Sequence, residues 1–144
     1  MITKNMKKIY HSKCFPRLFY IKNDGGDSSG VKAFFLIEWK ILFSVGLLRF
    51  NKGSREAYHS HAFNAISWWL KGHVTEIDYP DDQNRDFKQS WRPKITLRDK
   101  FHKVYAHEDT WAITLRGPWF DIWKEFRPSL GKIVKLTHGR RLVD

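Results

Sequence analysis

Cysteine is all but missing. Cys14 stands alone, so no disulfide can close within the chain, and stability has to come from a packed core, a bound metal or a partner. Long apolar runs are missing too: the central charge-free stretch from Ile41 to Leu48 falls far short of the roughly 20 residues a membrane-spanning helix requires. Lysines crowd the start (Lys4, Lys7, Lys8, Lys13), yet no apolar run follows them as a secretory signal needs, and the expectation is a cytoplasmic protein with no membrane partner. Acidic residues are scarce, 15 against 26 Lys and Arg, which leaves a net charge of +11. Aromatic side chains are plentiful: they make up 16% of the 144 residues, enough bulky apolar surface for one ordered domain and too much for a disordered chain.

The positive charge is gathered in three blocks. Residues 1–23 hold six basic and no acidic side chains, residues 83–103 seven and two, and residues 127–144 five and one, while the stretches between are slightly acidic. Brought onto one face, such blocks attract nucleic acid, nucleotides or another polyanion; spread out, they make a basic, soluble surface. No helix-turn-helix, zinc-finger or RNP-type pattern accompanies them.

Along the chain, residues 1–30 read as a basic N-terminal arm with a short extended piece, Arg17 to Lys22, and a turn-forming loop from Asn23 to Gly30. That loop is no phosphate-binding loop, because Lys32 lacks the glycine before it and the Ser or Thr after it. Residues 31–137 read as the domain proper and 138–144 as a basic tail. The two-residue alternation Ile41, Phe43, Val45, Leu47 predicts a strand, with a short helix before Lys40. Further strands are expected over Ala57 to His61, Ala65 to Leu70, His73 to Tyr79, Lys94 to Arg98, His102 to Tyr105, Trp111 to Leu115 and Lys132 to Leu136, with a short helix or cap over Trp119 to Phe126. Turn residues at Asn51-Lys52-Gly53, Lys71-Gly72, Pro80-Asp81-Asp82, Arg92-Pro93 and Gly117-Pro118 separate them. Many short strands at this spacing imply an all-β sandwich or barrel, most simply a jelly roll, whose exposed strand edges leave room for a homodimer.

The segment from Gly53 to Gly72 carries the chemistry. Residues two apart on a strand project from one face, so His59 and His61 aim both imidazoles at one point, and His102, on a later strand, is the candidate third ligand. Such a set suits iron, zinc, nickel or manganese. Five residues separate Gly53 from His59 and ten separate His61 from Gly72, and in this the chain resembles the cupin superfamily, whose first motif reads G(X)5HXH(X)3,4E(X)6G. Ala65 stands where that motif has glutamate, with Asn64 beside it, and the Pro-X-Gly of the second motif is missing ahead of His102. A closer resemblance is to small bacterial and phage cupin-like proteins, carried by Gly72 with Glu76, His102, and the stretch Trp111 to Pro118 followed by Trp123, over roughly residues 35–136. The resemblance implies a single cupin-like jelly-roll barrel with short terminal extensions and a divalent metal on His59, His61 and His102, with Glu76 a further carboxylate within reach from the adjacent strand.

Tyr58, Phe63, Trp69, Trp111 and Arg116 are the candidates to line a substrate pocket, against the alternative that the aromatics are core and that arginines such as Arg49, Arg55 and Arg116 point outward. His107, in His107-Glu108-Asp109, reads as part of a turn, His73 as exposed, and His11 and His138 as solvent-facing; nothing around Cys14 supplies a base to activate it. Two functions remain open. One is a small metal-dependent enzyme, oxygenase-like or using Lewis-acid chemistry, on a small anionic substrate such as a carboxylate or nucleotide. The other is a non-catalytic binding module of phage regulatory or anti-defence type, whose basic, Trp-rich surface takes a protein or nucleic acid.

Overall fold

The computed structural model describes residues 15–26, 29–54 and 57–143. His11, Cys14 and Arg55 lie outside them. Among the described residues twelve strands form: β1 (Arg17–Asn23), β2 (Val31–Trp39), β3 (Phe43–Phe50), β4 (Ala65–Lys71), β5 (His73–Asp78), β6 (Asn84–Lys88), β7 (Lys94–Thr96), β8 (His102–Ala106), β9 (Thr110–Arg116), β10 (Trp123–Arg127), β11 (Lys132–Thr137) and β12 (Arg141–Val143). One layer is a six-stranded sheet in the order β1-β2-β3-β9-β4-β7, and two three-stranded sheets, β6-β5-β8 and β10-β11-β12, make the other. Residues 57–61 join those two sheets. His59 bridges to His102 on β8 and to Glu125 on β10, and the Phe126 amide donates to the Tyr58 carbonyl at 2.7 Å. The architecture is the expected all-β jelly roll, built as facing sheets that do not close into a barrel.

Both helix expectations are overturned. No helix occurs among the described residues, so none is long and apolar enough to cross a membrane. Before Lys40 the chain runs as β2, where Val31, Ala33 and Phe35 point inward at the two-residue period of a strand. A bulge between Phe35 and Ile37 then shifts the phase and turns Glu38 inward, to meet the Tyr20 hydroxyl and the Lys22 ammonium at 2.8 Å. Residues 119–126 enter β10. The extended piece expected at Arg17 to Lys22 is β1, paired antiparallel with β2 along its length.

Two apolar clusters fill the space between the layers. Val31, Ala33, Phe35, Leu48, Phe50, Trp69 and Ala112 of the six-stranded sheet meet Val74, Val104 and Ala106 of the opposite layer. Ala62, Phe63, Trp123, Val134 and Leu136 form the second cluster at the other end. Gly46 faces inward beneath Phe35, whose ring lies 2.9 Å from where a Cβ would stand, so the ring occupies the space a larger residue would need. Other inward positions are polar: Ser44, Thr96, Thr114 and Arg116 are all buried, the last three beside the histidines. Their strand neighbours Phe43, Ile95, Ile113 and Leu115 point outward and give the six-stranded sheet an exposed apolar face.

Candidate metal centre

The three histidines are brought together by backbone pairing. The His59 amide donates to the His102 carbonyl at 2.8 Å and the His102 amide to the His59 carbonyl at 3.0 Å, which sets the two residues directly opposite on one face. His61, two residues on, shares that face. The rings form a near-equilateral triangle, with centroids 4.8 Å apart for His59 and His61, 5.0 Å for His59 and His102, and 5.1 Å for His61 and His102. His59 Nδ1 is 3.1 Å from the Ala57 carbonyl, and His61 Nε2 lies 2.9 Å from His102 Nε2. His59 and His102 are buried and His61 is half-buried.

Glu76 holds the far side of His102. It stands on β5 beside β8, 1% exposed, with its Oε2 3.1 Å from His102 Nδ1. The Lys94 ammonium lies 2.5 Å from the same oxygen and the Lys100 ammonium 2.6 Å from Oε1. Burial pushes the Glu76 carboxyl up, but His102, Lys94 and Lys100 together outweigh it and hold the group far below the ordinary carboxylate range. An ionised carboxylate at Nδ1 fixes the ring's tautomer and leaves Nε2 as the donor atom facing His61. Glu76 is therefore a positioning residue behind the triad, and two lysines of the most basic internal block spend their charge inside the fold on it.

The donor set fits a metal ion. Cis positions on an ion bound at 2.0–2.1 Å lie about 3 Å apart, close to the 2.9 Å between His61 Nε2 and His102 Nε2. Three imidazoles face one another with no carboxylate among them, a set that would hold an ion and leave room for other ligands on it. Ala65 lines the space where the cupin motif would place glutamate, and Asn64 is exposed, its Oδ1 accepting the Arg98 amide at 2.7 Å. Neither supplies a fourth ligand.

The histidines open onto a chamber of about 90 Å³ between the layers, lined also by Phe63, Trp69, Lys94, Thr114 and Arg116. Arg116 is 3% exposed, its guanidinium 2.7 Å from Asp24 and over the Phe63 ring at 4.4 Å. Its Nε–H and the indole N–H of Trp69 are buried without an acceptor among the described residues. His59 and His61 also border an outer cleft of about 360 Å³ walled by Lys22, Lys40, Trp119, Trp123 and Arg140. A larger groove of about 650 Å³, along residues such as Asn51, Ser54 and Tyr105, reaches none of the three imidazoles.

Of the five pocket candidates, Phe63, Trp69 and Arg116 line the chamber. Trp111 does not: it sits on the opposite face of β9, its ring 5.9 Å from Phe34 and under the Arg49 guanidinium at 5.7 Å. Tyr58 is turned away as well, packed on Tyr79 and Phe101 with its hydroxyl donating to Asp82 at 2.6 Å. Strand parity explains both, since His59 and Tyr58 are adjacent, and Trp111 alternates with Ala112, which points inward. Sequence reasoning missed Asp24, Lys94 and Lys100; the signal was a polar residue in phase with buried positions, Lys94 with Thr96 flanking the outward Ile95.

No protein-family model matches the sequence, and no curated protein does. Solved structures do resemble it. An RmlC-like cupin from Shewanella frigidimarina has a TM-score of 0.55 at 17% identity, over 69% of this chain and 84% of that one. A sugar phosphate isomerase of the cupin superfamily from Silicibacter pomeroyi has a TM-score of 0.55 at 10% identity, over 92% of this chain and 89% of that one. HppE in its iron(II) form has a TM-score of 0.55 at 11% identity, over 67% of this chain and 55% of that one. At such identities the likeness is one of fold.

Proposed function

For a chain with the cupin fold, we propose a metal-dependent enzyme that holds one divalent ion on His59, His61 and His102 and acts on a small anionic substrate. The convergence of three imidazoles, two buried and one half-buried, ring to ring at 4.8–5.1 Å, carries the reading. When bound, such an ion supplies Lewis-acid polarisation or, if it is iron(II), a place for oxygen chemistry.

This chain's own residues account for the rest. Glu76 keeps His102 in the ligating tautomer. The unmatched N–H groups of Arg116 and Trp69 are donors buried at the chamber wall, and an anionic oxygen is the acceptor such donors lack. A chamber of about 90 Å³ has room for roughly three waters, so it takes a carboxylate or similar group, and a larger molecule keeps most of its atoms in the outer cleft. There Lys22, Lys40 and Arg140 add positive charge and Trp119 and Trp123 offer flat apolar walls. The two layers bury His59, His102, Glu76 and Arg116 away from bulk water, which strengthens the contacts these groups make.

Metal analysis of protein purified without a histidine tag tests the proposal. One equivalent of metal fewer in both His59→Ala and His61→Ala than in the wild type, with the fold retained by circular dichroism, is the expected outcome. Wild-type protein that takes up no metal on loading with iron(II), zinc, nickel or manganese removes the enzyme reading. The binding-module reading then stands on the basic surface alone, and retention on heparin that falls steeply with salt is its test.

A further inference from the structure

We infer that His73, Asp86 and His107 form a second metal site, on the outer surface of the β6-β5-β8 sheet and separate from the interior triad. The three residues come from three pieces of chain that the sheet sets side by side. His73 opens β5, and the His107 amide, just past β8, donates to the His73 carbonyl at 3.0 Å, so the two histidines face each other across the strand pair. Thr75, two residues along β5 on the same face, is paired with Asp86 of β6. The imidazoles stack at 4.2 Å between centroids with 23° between planes.

Their donor atoms turn toward a common point. His107 Nε2 lies 2.6 Å from the Thr75 hydroxyl, which donates to Asp86 Oδ1 at 2.6 Å, while Asp86 Oδ2 stands 3.6 Å from His73 Nε2. That last separation is too long for a hydrogen bond, and His73 Nε2 is a buried nitrogen with no hydrogen-bond partner among the described residues. One ligand atom from each of the three residues lies within 4.8 Å of the others. Nitrogen and oxygen ligands at 2.0–2.1 Å on a tetrahedral ion are about 3.4 Å apart, so modest swings of the exposed His107 and Asp86 side chains close the set. The Thr75 hydroxyl then orients the aspartate from behind, leaving Oδ2 for the ion.

Two imidazoles and a carboxylate select a borderline divalent transition ion such as zinc, with a fourth position open to water or to a donor from another molecule. Because β6 is the edge strand of its sheet, an ion here ties that edge to β5 and to the turn after β8. Reading His73 and His107 as mere surface histidines misses the cross-strand register that pairs them.

Zinc titration of the tag-free protein against a chromophoric chelator, with the stoichiometry counted per chain, tests the site. His107→Ala and Asp86→Asn, both at exposed positions, are each expected to bind one zinc fewer than wild type, and His61→Ala to keep the zinc that His107→Ala loses. Thermal midpoints should rise with zinc in His61→Ala and rise less in the His61→Ala/His107→Ala double variant. A wild type that binds one zinc, lost in His107→Ala, supports this site while counting against the interior one. Stoichiometry unchanged in both His107→Ala and Asp86→Asn overturns it.

Discussion

Replacing Glu76 by glutamine is expected to destabilise the fold by about 3–5 kcal/mol, because it keeps the shape of the buried side chain and strips the charge from between two half-buried ammonium groups. The carboxylate is 1% exposed, with Lys94 at 2.5 Å and Lys100 at 2.6 Å. Burial pulls the Lys94 ammonium below its usual range, and Glu76 is the group that opposes this. Urea unfolding of Glu76→Gln, Lys94→Met and the double variant checks the account: the double variant should be more stable than Glu76→Gln alone, since it removes a cation that would otherwise sit unpaired. A loss below about 1 kcal/mol in Glu76→Gln would show that the ion pairs are open to water. The same change is expected to weaken metal binding at the triad about 10- to 100-fold by freeing the His102 ring.

The sign of the pH dependence follows from the same contacts. With the Glu76 carboxyl depressed in the fold below its ordinary 4.5, the stability it contributes is complete above that value and is lost as pH falls toward the folded pKa. Glu38 acts in the same direction: burial raises it, and Lys22, helped by Tyr20 and Lys40, more than reverses that. Wild-type protein should therefore lose stability below about pH 4.5, and Glu76→Gln should show a shallower slope in that range.

Gly72→Ala should abolish soluble folded protein or lower its melting point by roughly 10–15 °C. Gly72 has φ +105°, a conformation side chains rarely adopt, and a Cβ there would stand 2.3 Å from Thr110 Oγ1 and 2.7 Å from Thr110 Cα. Neither neighbour can retreat easily, because Thr110 is 1% exposed and its hydroxyl accepts the His73 amide at 3.1 Å. The glycine thus lets the chain pass close against Thr110 as it leaves β4 for β5, the strand that carries Glu76 to His102. A melting point within about 2 °C of wild type would contradict the clash.

The sequence made the strands legible because their two-residue period survives the change from apolar to polar faces. It did not make the phase legible. Ile41, Phe43, Val45 and Leu47 alternate cleanly, yet it is Ser44, Gly46, Leu48 and Phe50 that point inward on β3, because the layers enclose polar chemistry at that end. The same inversion recurs on β9, where Thr114 and Arg116 are inside and Ile113 and Leu115 outside, and it is why Trp111 falls on the wrong side of its strand. Strand β6 was missed because its sequence, NRDFK, offers one apolar side chain, Phe87, which packs against Trp69 from an edge. The His59, His61, His102 grouping was legible because a two-residue step is fixed by the pleat and His102 falls on a later strand at a distance that suits a neighbour. Lys94 and Lys100 were not, because a lysine's burial depends on a counter-charge brought from a different strand.

Anomalous scattering from crystals of the metal-loaded protein, recorded at the absorption edge of the bound ion, examines the triad most directly. The account predicts a strong peak about 2.0–2.2 Å from an imidazole nitrogen of each of His59, His61 and His102, with Glu76 still at His102 Nδ1. Loaded crystals with no peak among the three rings, or with the His102 ring turned away from the other two, would contradict it.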